Sequence, residues 1–471
     1  MVFSSEVFLC LFLPFVLTVY YGLLRQKRNL QNLFLFGMSL IFYAYGEPWF
    51  VFVMLLSILV NWVLGLLMER FREVKSAARL LLAALLLVNL GILGYFKYWM
   101  FFLANWNQLT HSFIPIPQIT LPIGISFFTF QAISYVVDVF RKKAPAQKNP
   151  LNLGLFIALF PQLIAGPIVR YETIASQIQG RRESFALFSE GVCRFVTGLG
   201  KKALIANSLA RLANEAFAMP ADERTAALAW LGAFAFTFQI YFDFSGYSDM
   251  AIGLGKMFGF QFPENFNYPY VSRSVSEFWR RWHISLSSFF RDYVYFPLGG
   301  SRVSTLGLIR NLFVVWLLTG LWHGANWTFI CWGLFYFVLI LFEKLTGFEK
   351  RFNSALFLPL KHAWTVLAFV CGWVLFRAES LPEALAYFHS MFAWQAGHFF
   401  DPYVCFQLHE TRWFLLLALC FSVPLAPWLE RRLEGNAWGS FALTSAYGLI
   451  FAVSLIYVIH GGYSPFLYFN F

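Results

Sequence analysis

Long apolar runs, interrupted by short polar loops, extend along most of the chain. Residues 7–24, 49–68, 80–96 and 312–342 contain no Lys, Arg, Asp or Glu. A membrane-spanning helix needs about 20 mainly apolar residues, so the fourth run is long enough to cross, turn and return. Further apolar segments lie near residues 30–45, 119–137, 151–169, 225–242, 360–376, 413–429 and 441–459. The pattern predicts an all-α polytopic protein with about 10–13 membrane helices, some too short to cross fully.

The middle of the chain differs from both ends. Between about residues 119 and 330, Pro, Gly, Asp, His and Arg interrupt the apolar segments. Unpaired backbone groups cannot face lipid, so broken helices of this kind must lie inside protein or beside a water-filled cavity. No polar linker divides the chain. We therefore treat residues 1–471 as one integral membrane domain and place its catalytic region at about 119–330.

Composition and charge narrow the classes of protein. Hydrophobic residues make up 59% of the 471 residues and charged residues only 13%, whereas soluble domains carry about 25% charged residues. The net charge of +11 comes largely from basic residues in short loops near 25–28, 70–79 and 141–148. The positive-inside rule puts these loops in the cytoplasm, so the charge indicates topology and not a nucleic-acid partner. Glu6 and the absence of early basic residues favour a retained first helix over a signal peptide.

His323 is the strongest candidate for chemistry. It lies in the segment 316–327, WLLTGLWHGANW, inside the longest uncharged run. An ionisable group at membrane depth is costly and is therefore a functional hypothesis by default, and neutral imidazole accepts protons near pH 7. A buried histidine can also simply bond a neighbouring carbonyl, but the surrounding motif favours function.

A second histidine lies in the segment 276–300, SEFWRRWHISLSSFFRDYVYFPLGG. The spacing of its aromatic residues predicts an amphipathic helix in the cytoplasmic interface, with aromatic rings in lipid and arginines at the headgroups. Helical spacing would place His283 among Trp279, Arg280, Leu286 and Ser287. Both a role near the reaction and a role in packing stay open for His283.

Two further segments carry polar residues in apolar surroundings. Asp243 and Asp249 lie six residues apart, and the intervening Ser245-Gly246 predicts a break in the helix. We interpret the two carboxylates as structural ion-pair partners of nearby arginines or as helix caps, with acid–base work as the alternative. Gln162 lies in FPQLIAGPIVR, residues 160–170, whose prolines and glycine predict a kinked or re-entrant helix.

Several enzyme classes lack support in the sequence. There is no G-x-S-x-G elbow, Walker loop or HExxH motif, and the six cysteines form no CxxC pair. A serine hydrolase, a P-loop ATPase and a zinc enzyme are disfavoured, and no metal site is predicted. A transporter of a glycan intermediate would also have broken helices with buried charge, and a structural subunit of a synthase complex is a third alternative.

The motifs together resemble the membrane-bound O-acyltransferase (MBOAT) superfamily, and within it the membrane subunits of alginate and peptidoglycan O-acetylation. The resemblance rests on the start MVFSS, LPIGISF at 121–127, QLIAGP at 162–167, YFDFSGYSDMAIG at 241–253, EFWRRWHISLS at 277–287 and LWHGAN at 321–326. It extends to about residue 380, and the ending SPFLYF at 464–469 also fits.

This resemblance implies helices around a central tunnel and a catalytic role for His323, with His283 as the second polar position. It implies cytoplasmic acetyl-CoA as donor substrate and no tightly bound cofactor. The phosphates of acetyl-CoA would be attracted by Arg280, Arg281 or Arg291. Candidates for binding the donor or substrate are Trp322, Asn326 and Gln162. His323 would act either as general base or as a transient nucleophile.

The same resemblance implies a setting and partners. The chain would lie in the bacterial inner membrane, and a separate extracytoplasmic transferase of the SGNH or esterase-like type would finish O-acetylation of an exported polysaccharide. D-alanyl transfer to teichoic acid, by a related family member, is the enzyme alternative.

Overall fold

A computed structural model describes residues 1–351, 354–392, 399–461 and 467. Within these residues the chain is helical and contains no β-strand. Except for Leu467, the ending at 464–469 lies outside the described residues. The helices fall into two compact units, Met1–Phe195 with Asp249–Pro263, and Val196–Ser248 with Glu264–Phe471.

The first unit contains most of the amino-terminal helices. They are α1 Leu13–Thr18, α2 Arg28–Ala44, α3 Phe50–Phe71, α4 Lys75–Leu93, α5 Trp99–Thr110, α6 Ile125–Phe140, α7 Pro150–Ala158, α8 Phe160–Leu163, α9 Tyr171–Gly180 and α10 Phe185–Gly200, the last ending beyond the unit boundary. Segments Val7–Phe12, Val19–Leu23 and Gly94–Tyr98 are π-helical. The predicted interruption near Gln162 is confirmed, because α7 ends at Ala158 and only the four-residue α8 follows before irregular backbone.

The second unit contains the candidate chemistry. After the π-helical Lys201–Ala206 come α11 Asn207–Ala218, α12 Ala226–Met257, α13 Val275–Arg281, α14 Ile284–Phe290, α15 Thr305–His323, α16 Trp327–Thr346, α17 Phe348–Arg351, α18 Leu358–Arg377, α19 Leu381–Phe392, α20 Pro402–Phe421, α21 Leu425–Leu433 and α22 Ala437–Gly461. Short 3₁₀ turns cover Pro269–Val271 and Ala355–Phe357, and Arg291–Tyr295 is π-helical. The end of α12 belongs to the first unit.

Eight helical segments in the described part of the chain are long and apolar enough to span a membrane. They are Phe50–Phe71, Lys75–Thr110, Ala226–Met257, Thr305–His323, Trp327–Thr346, Ala355–Arg377, Pro402–Phe421 and Ala437–Gly461. Shorter apolar helices cover Val7–Leu23 and Ile125–Phe140. The predicted all-α polytopic class is confirmed.

The predicted break at Ser245-Gly246 is wrong, because α12 continues through both residues. Gly246 instead allows close packing of two backbones. A Cβ atom there would lie 2.8 Å from the carbonyl oxygen of Gly198, closer than real Cβ contacts. The glycine therefore brings α12 against the end of α10 without ending the helix.

The run 312–342 forms the predicted helical hairpin, with α15 and α16 joined by three residues. Gly320 and Gly333 face each other across it, and a Cβ on Gly320 would lie 2.5 Å from the carbonyl oxygen of Phe329. The tight contact fixes the end of α15, and with it His323.

The prediction of a single interfacial helix after residue 275 is wrong. Two short helices, α13 and α14, meet at His283, which has a left-handed backbone with φ 45° and ψ 53°. This conformation is uncommon for a non-glycine residue. Strained backbone conformations of this kind cluster at functional sites. The aromatic residues are buried within protein, where Phe278 stacks on Tyr270 and Trp282. Stacking inside the protein is compatible with the sharp turn at His283. A continuous amphipathic helix that faces lipid would not contain such a turn.

We predict that Gly320→Ala lowers the thermal stability of the detergent-purified protein, since overpacking costs about 1–3 kcal/mol. Gly91→Ala is the matched control, because no atom lies within 4 Å of the added methyl group on that helical residue. The melting temperature, read from size-exclusion profiles after heating, should fall for Gly320→Ala and hold for the control. Equal melting temperatures would contradict the close packing of α15 on α16.

Candidate functional site

His283 sits at the centre of a buried hydrogen-bond network. Its side chain is 1% exposed, and its Nδ1 lies 3.1 Å from Oδ1 of Asn265. The same oxygen accepts hydrogen bonds from the backbone N–H and the hydroxyl of Ser285, at 3.2 and 2.8 Å. The amide nitrogen of Asn265 donates to the hydroxyl of Ser248 at 3.0 Å. These contacts fix the orientation of the Asn265 amide.

The network determines which nitrogen of His283 carries the proton. An amide oxygen only accepts hydrogen bonds, so Nδ1 of His283 must be the donor, and Nε2 of the neutral ring keeps its lone pair. Burial lowers the pKa of His283 to about 3, because desolvation disfavours the charged ring. Nε2 has no hydrogen-bond partner among the described residues. His283 therefore presents an unused proton acceptor in a dry site.

The two candidate histidines contact the same tryptophan. The ring centroids of Trp322 and His283 are 5.8 Å apart, and those of Trp322 and His323 are 5.0 Å apart. His323 is 4% exposed and also contacts Trp332 and Phe376, at centroid distances of 4.8 and 5.1 Å. The structure thus brings His283, Trp322 and His323 into one buried cluster, although 40 positions separate the histidines in the sequence.

Aromatic side chains extend from this cluster toward the beginning of α15. Trp332 contacts Trp279 and Tyr336 at 5.4 and 5.2 Å between centroids, and Trp279 contacts Trp316 at 5.0 Å. The indole N–H groups of Trp279 and Trp332 and the hydroxyl of Tyr336 are buried without a hydrogen-bond partner among the described residues. Each such group costs about 1–3 kcal/mol, so this region suits a ligand or water that accepts hydrogen bonds.

A cavity of about 200 Å³ opens beside these rings. Its lining includes Trp279 and Trp316, the arginines Arg280 and Arg291, and Thr319. Thr319 precedes His323 by four residues, so both lie on the same face of α15 one turn apart. The cavity lining therefore includes two basic side chains and a residue one helical turn from His323.

The three predicted phosphate-binding arginines differ in placement. Arg280 lines the cavity and pairs with Glu349 at 3.0 Å, where both side chains are largely exposed. Arg291 lines it as well and pairs with the neighbouring Asp292 at 2.8 Å. Arg281 is not among the lining residues and instead pairs with Glu277 at 2.9 Å.

Two other predicted binding residues are already engaged in protein contacts. Asn326 caps α16 by accepting from the backbone N–H of Thr328 at 3.1 Å, and its amide nitrogen donates to the Glu379 carbonyl at 2.8 Å. Gln162 lies in the first unit, is fully buried and donates to the carbonyl of Phe156 at 2.5 Å.

The two aspartates of α12 form ion pairs in different units. Asp243, in the second unit, pairs with Lys202 of the π-helical segment and accepts from the backbone N–H of Leu467 at 2.9 Å. Asp249, in the first unit, pairs with Arg194 at 2.7 Å. The partner of Asp243 is thus a lysine, and the expected arginine partner is found at Asp249.

Sequence reasoning missed Asn265 and Glu343. Asn265 lies in the loop PENFNYPY, residues 263–270, where no motif marks it. Glu343 receives hydrogen bonds from the backbone N–H groups of Val275 and Ser276, at 2.7 and 2.9 Å, and so holds the start of α13 against α16. In the sequence, the only indication of this role is that Glu343 directly follows the long apolar run 312–342.

Comparisons with known proteins show which family the chain resembles. A model of the MBOAT, membrane-bound O-acyltransferase family matches residues 8–381. The chain is 42% identical over 493 residues to a probable alginate O-acetylase of Pseudomonas putida, with both chains fully covered. It is 32% identical over 525 residues to the peptidoglycan O-acetyltransferase of Helicobacter pylori, covering 100% of this chain and 98% of the relative.

A more distant relative transfers a different acyl group. The teichoic acid D-alanyltransferase of Bacillus subtilis is 31% identical over 282 residues, which cover 55% of this chain and 69% of the relative. The family match includes α13–α16 and both histidines of the buried cluster. The chain is a multi-pass membrane acyltransferase and belongs to the membrane-bound O-acyltransferase family.

Proposed function

We propose that this protein takes acetyl groups from cytoplasmic acetyl-CoA and delivers them through the bacterial inner membrane for O-acetylation of an exported polysaccharide. The observation that carries the proposal is the buried cluster in which His283 and His323 both contact Trp322. The full-length similarity to an alginate and a peptidoglycan O-acetylating protein supports an acetyl group and a glycan acceptor.

The donor would enter at the basic end of the cavity. Arg280 and Arg291 supply positive charge for the CoA phosphates, and Lys344 lines the same cavity. The thioester end would pass the rings of Trp279 and Trp332, whose N–H groups have no partner among the described residues and can donate to carbonyl oxygens. This route ends at the face of α15 that carries His323.

The chemistry requires one proton acceptor near the reacting hydroxyl. In direct transfer, an imidazole nitrogen takes the hydroxyl proton, the hydroxyl oxygen attacks the thioester carbon, and the C–S bond breaks; the proton then passes to the CoA thiolate. In a two-step reaction, a histidine nitrogen attacks the thioester carbon and the C–S bond breaks to release the CoA thiolate. A hydroxyl oxygen then displaces the histidine from the acetyl group, and its proton passes through the freed imidazole to the thiolate. We assign the catalytic role to His323 and a second proton-accepting role to Nε2 of His283.

The position of His323 suits delivery across the membrane. The 19 residues of α15 span about 28 Å. Arg302 and Arg310 lie near the start of this helix, and His323 lies at its other end. With the basic end in the cytoplasm, His323 lies toward the external side. A separate extracytoplasmic transferase of the SGNH or esterase-like type would accept the acetyl group there.

The similarity to a teichoic acid D-alanyltransferase supports a second candidate, transfer of D-alanine from a carrier protein. The donor distinguishes the two. Purified protein that binds acetyl-CoA and releases CoA is an acetyltransferase, whereas a protein that reacts only with an aminoacylated carrier is a D-alanyltransferase. Acetyl-CoA binding would also set it apart from a glycan transporter.

We predict that His323→Ala and His283→Ala each lower CoA release in the presence of acceptor by at least about 100-fold, because general-base catalysis contributes about 10²–10⁴-fold. Both variants should still bind acetyl-CoA. His409→Ala, which removes an exposed histidine from α20, is the control and should keep full activity. Normal turnover by folded His323→Ala protein would reject its catalytic role.

We predict that Arg280→Gln and Arg291→Gln each raise the KM for acetyl-CoA about tenfold, equivalent to about 1.4 kcal/mol. The effect should shrink at high salt, because exposed charges are screened. Arg281→Gln is the matched control, since it removes the adjacent charge without altering the cavity lining. The same KM for all three variants and the unchanged protein would exclude phosphate recognition at this cavity.

We predict that Asn265→Asp moves the acid limb of the kcat/KM profile to higher pH. The unchanged protein keeps His283 neutral above a pKa of about 3. A carboxylate beside Nδ1 stabilises the imidazolium and raises this pKa, so protonation removes the Nε2 acceptor over a wider pH range. Asn265→Leu should lower kcat at every pH, since nothing then holds the tautomer. A folded Asn265→Asp variant with the original profile would contradict the positioning role of Asn265.

A further inference from the structure

The second unit carries a groove that the proposed reaction does not use. It has a volume of about 540 Å³ and is bounded by α12, α18 and the end of α20. Its lining comprises Phe234, Thr237, Phe238, Tyr270, Val271, Arg273, Leu358, Pro359, His362, Val366, Phe369, Leu419, Ser422 and Val423. We call it the α18 groove.

The lining changes from polar to apolar along α18. His362 lies in the second turn of the helix, near Arg273, while Val366 and Phe369 follow one and two turns deeper. From His362 to Phe369 the helix rises about 10 Å, enough for part of one lipid acyl chain. Leu419 and Leu358 are partly solvent-accessible at its edge, so the groove is open to the side on helices that can span the bilayer.

The polar end provides positive charge and hydrogen-bonding groups. The guanidinium of Arg273 forms no ion pair among the described residues, although its backbone N–H donates to Glu277 at 3.0 Å. Nδ1 of His362 lies 3.1 Å from the carbonyl oxygen of Ser272, so Nδ1–H donates to it and Nε2 is left for another bond.

We propose that the α18 groove binds an anionic glycerophospholipid, with one acyl chain along α18 and the phosphate at Arg273 and His362. The charge at Arg273 and the apolar lining that follows His362 along α18 fit the headgroup and the first part of an acyl chain of this occupant. A free phosphate would leave the apolar lining uncovered, and a zwitterionic lipid would leave the charge of Arg273 less well neutralised. The site is independent of the histidine cluster.

The test uses the full chain in nanodiscs with spin-labelled phosphatidylglycerol or phosphatidylcholine. Electron paramagnetic resonance measures the immobilised fraction of each lipid. We expect about fivefold preference for phosphatidylglycerol, the fold-change that one basic residue near the membrane surface provides. Arg273→Gln should abolish the preference and Arg273→Lys should retain it. Arg302→Gln, which removes a basic residue that does not line the groove, should leave it unchanged.

A second pair of variants tests the acyl-chain path. Val366→Trp fills the groove and should lower the immobilised fraction of both lipids, whereas Val338→Trp, at an exposed position of α16, should not. The same preference in Arg273→Gln and the unchanged protein would overturn headgroup recognition. Unchanged immobilisation in Val366→Trp would overturn binding in this groove. Inorganic phosphate that competes as well as the lipid would show an anion site without an acyl chain.

Discussion

The hydrogen bond between His283 Nδ1 and Asn265 Oδ1 constrains the rest of the proposed site. In a dry interior an imidazole is stable only when neutral, and a neutral ring offers a single proton acceptor. Asn265 determines which nitrogen that is, because its oxygen already receives two bonds from Ser285. The left-handed turn at His283 brings the ring to this partner, at a cost in backbone strain that the surrounding packing must offset.

The aromatic cluster gives the site its second property, which is the exclusion of water. A thioester is open to hydrolysis, and a closed site protects it. Trp332 contacts both His323 and Trp279, and Trp279 lines the cavity together with Arg280. In the part of the chain that the structure describes, the indole N–H groups of Trp279 and Trp332 have no hydrogen-bond partner, so the barrier to water also contains donors for a polar ligand. We propose one route through the second unit. It begins at the cavity arginines, passes the aromatic rings and ends at the two imidazoles.

Much of this architecture could be predicted from the sequence. Uncharged runs predicted the polytopic helices and the hairpin whose first helix, α15, ends at His323, because length and hydropathy alone decide whether a helix can cross lipid. Local spacing failed at His283, where stacking of Phe278 and Trp282 inside protein replaced the expected lipid-facing helix. It failed again at Gly246, which serves packing between helices. Asn265 could not be found, because its importance depends on a contact 18 residues away that no periodicity encodes.

The central claim is that the acetyl thioester reaches the buried pair of imidazoles from the basic cavity. The most direct measurement is a structure of the full chain with a non-hydrolysable thioether analogue of acetyl-CoA. The account predicts phosphates beside Arg280 and Arg291, and the acetyl-mimicking carbonyl within hydrogen-bond distance of His323 or of His283 Nε2. An analogue bound elsewhere, with its carbonyl remote from both rings, would contradict it.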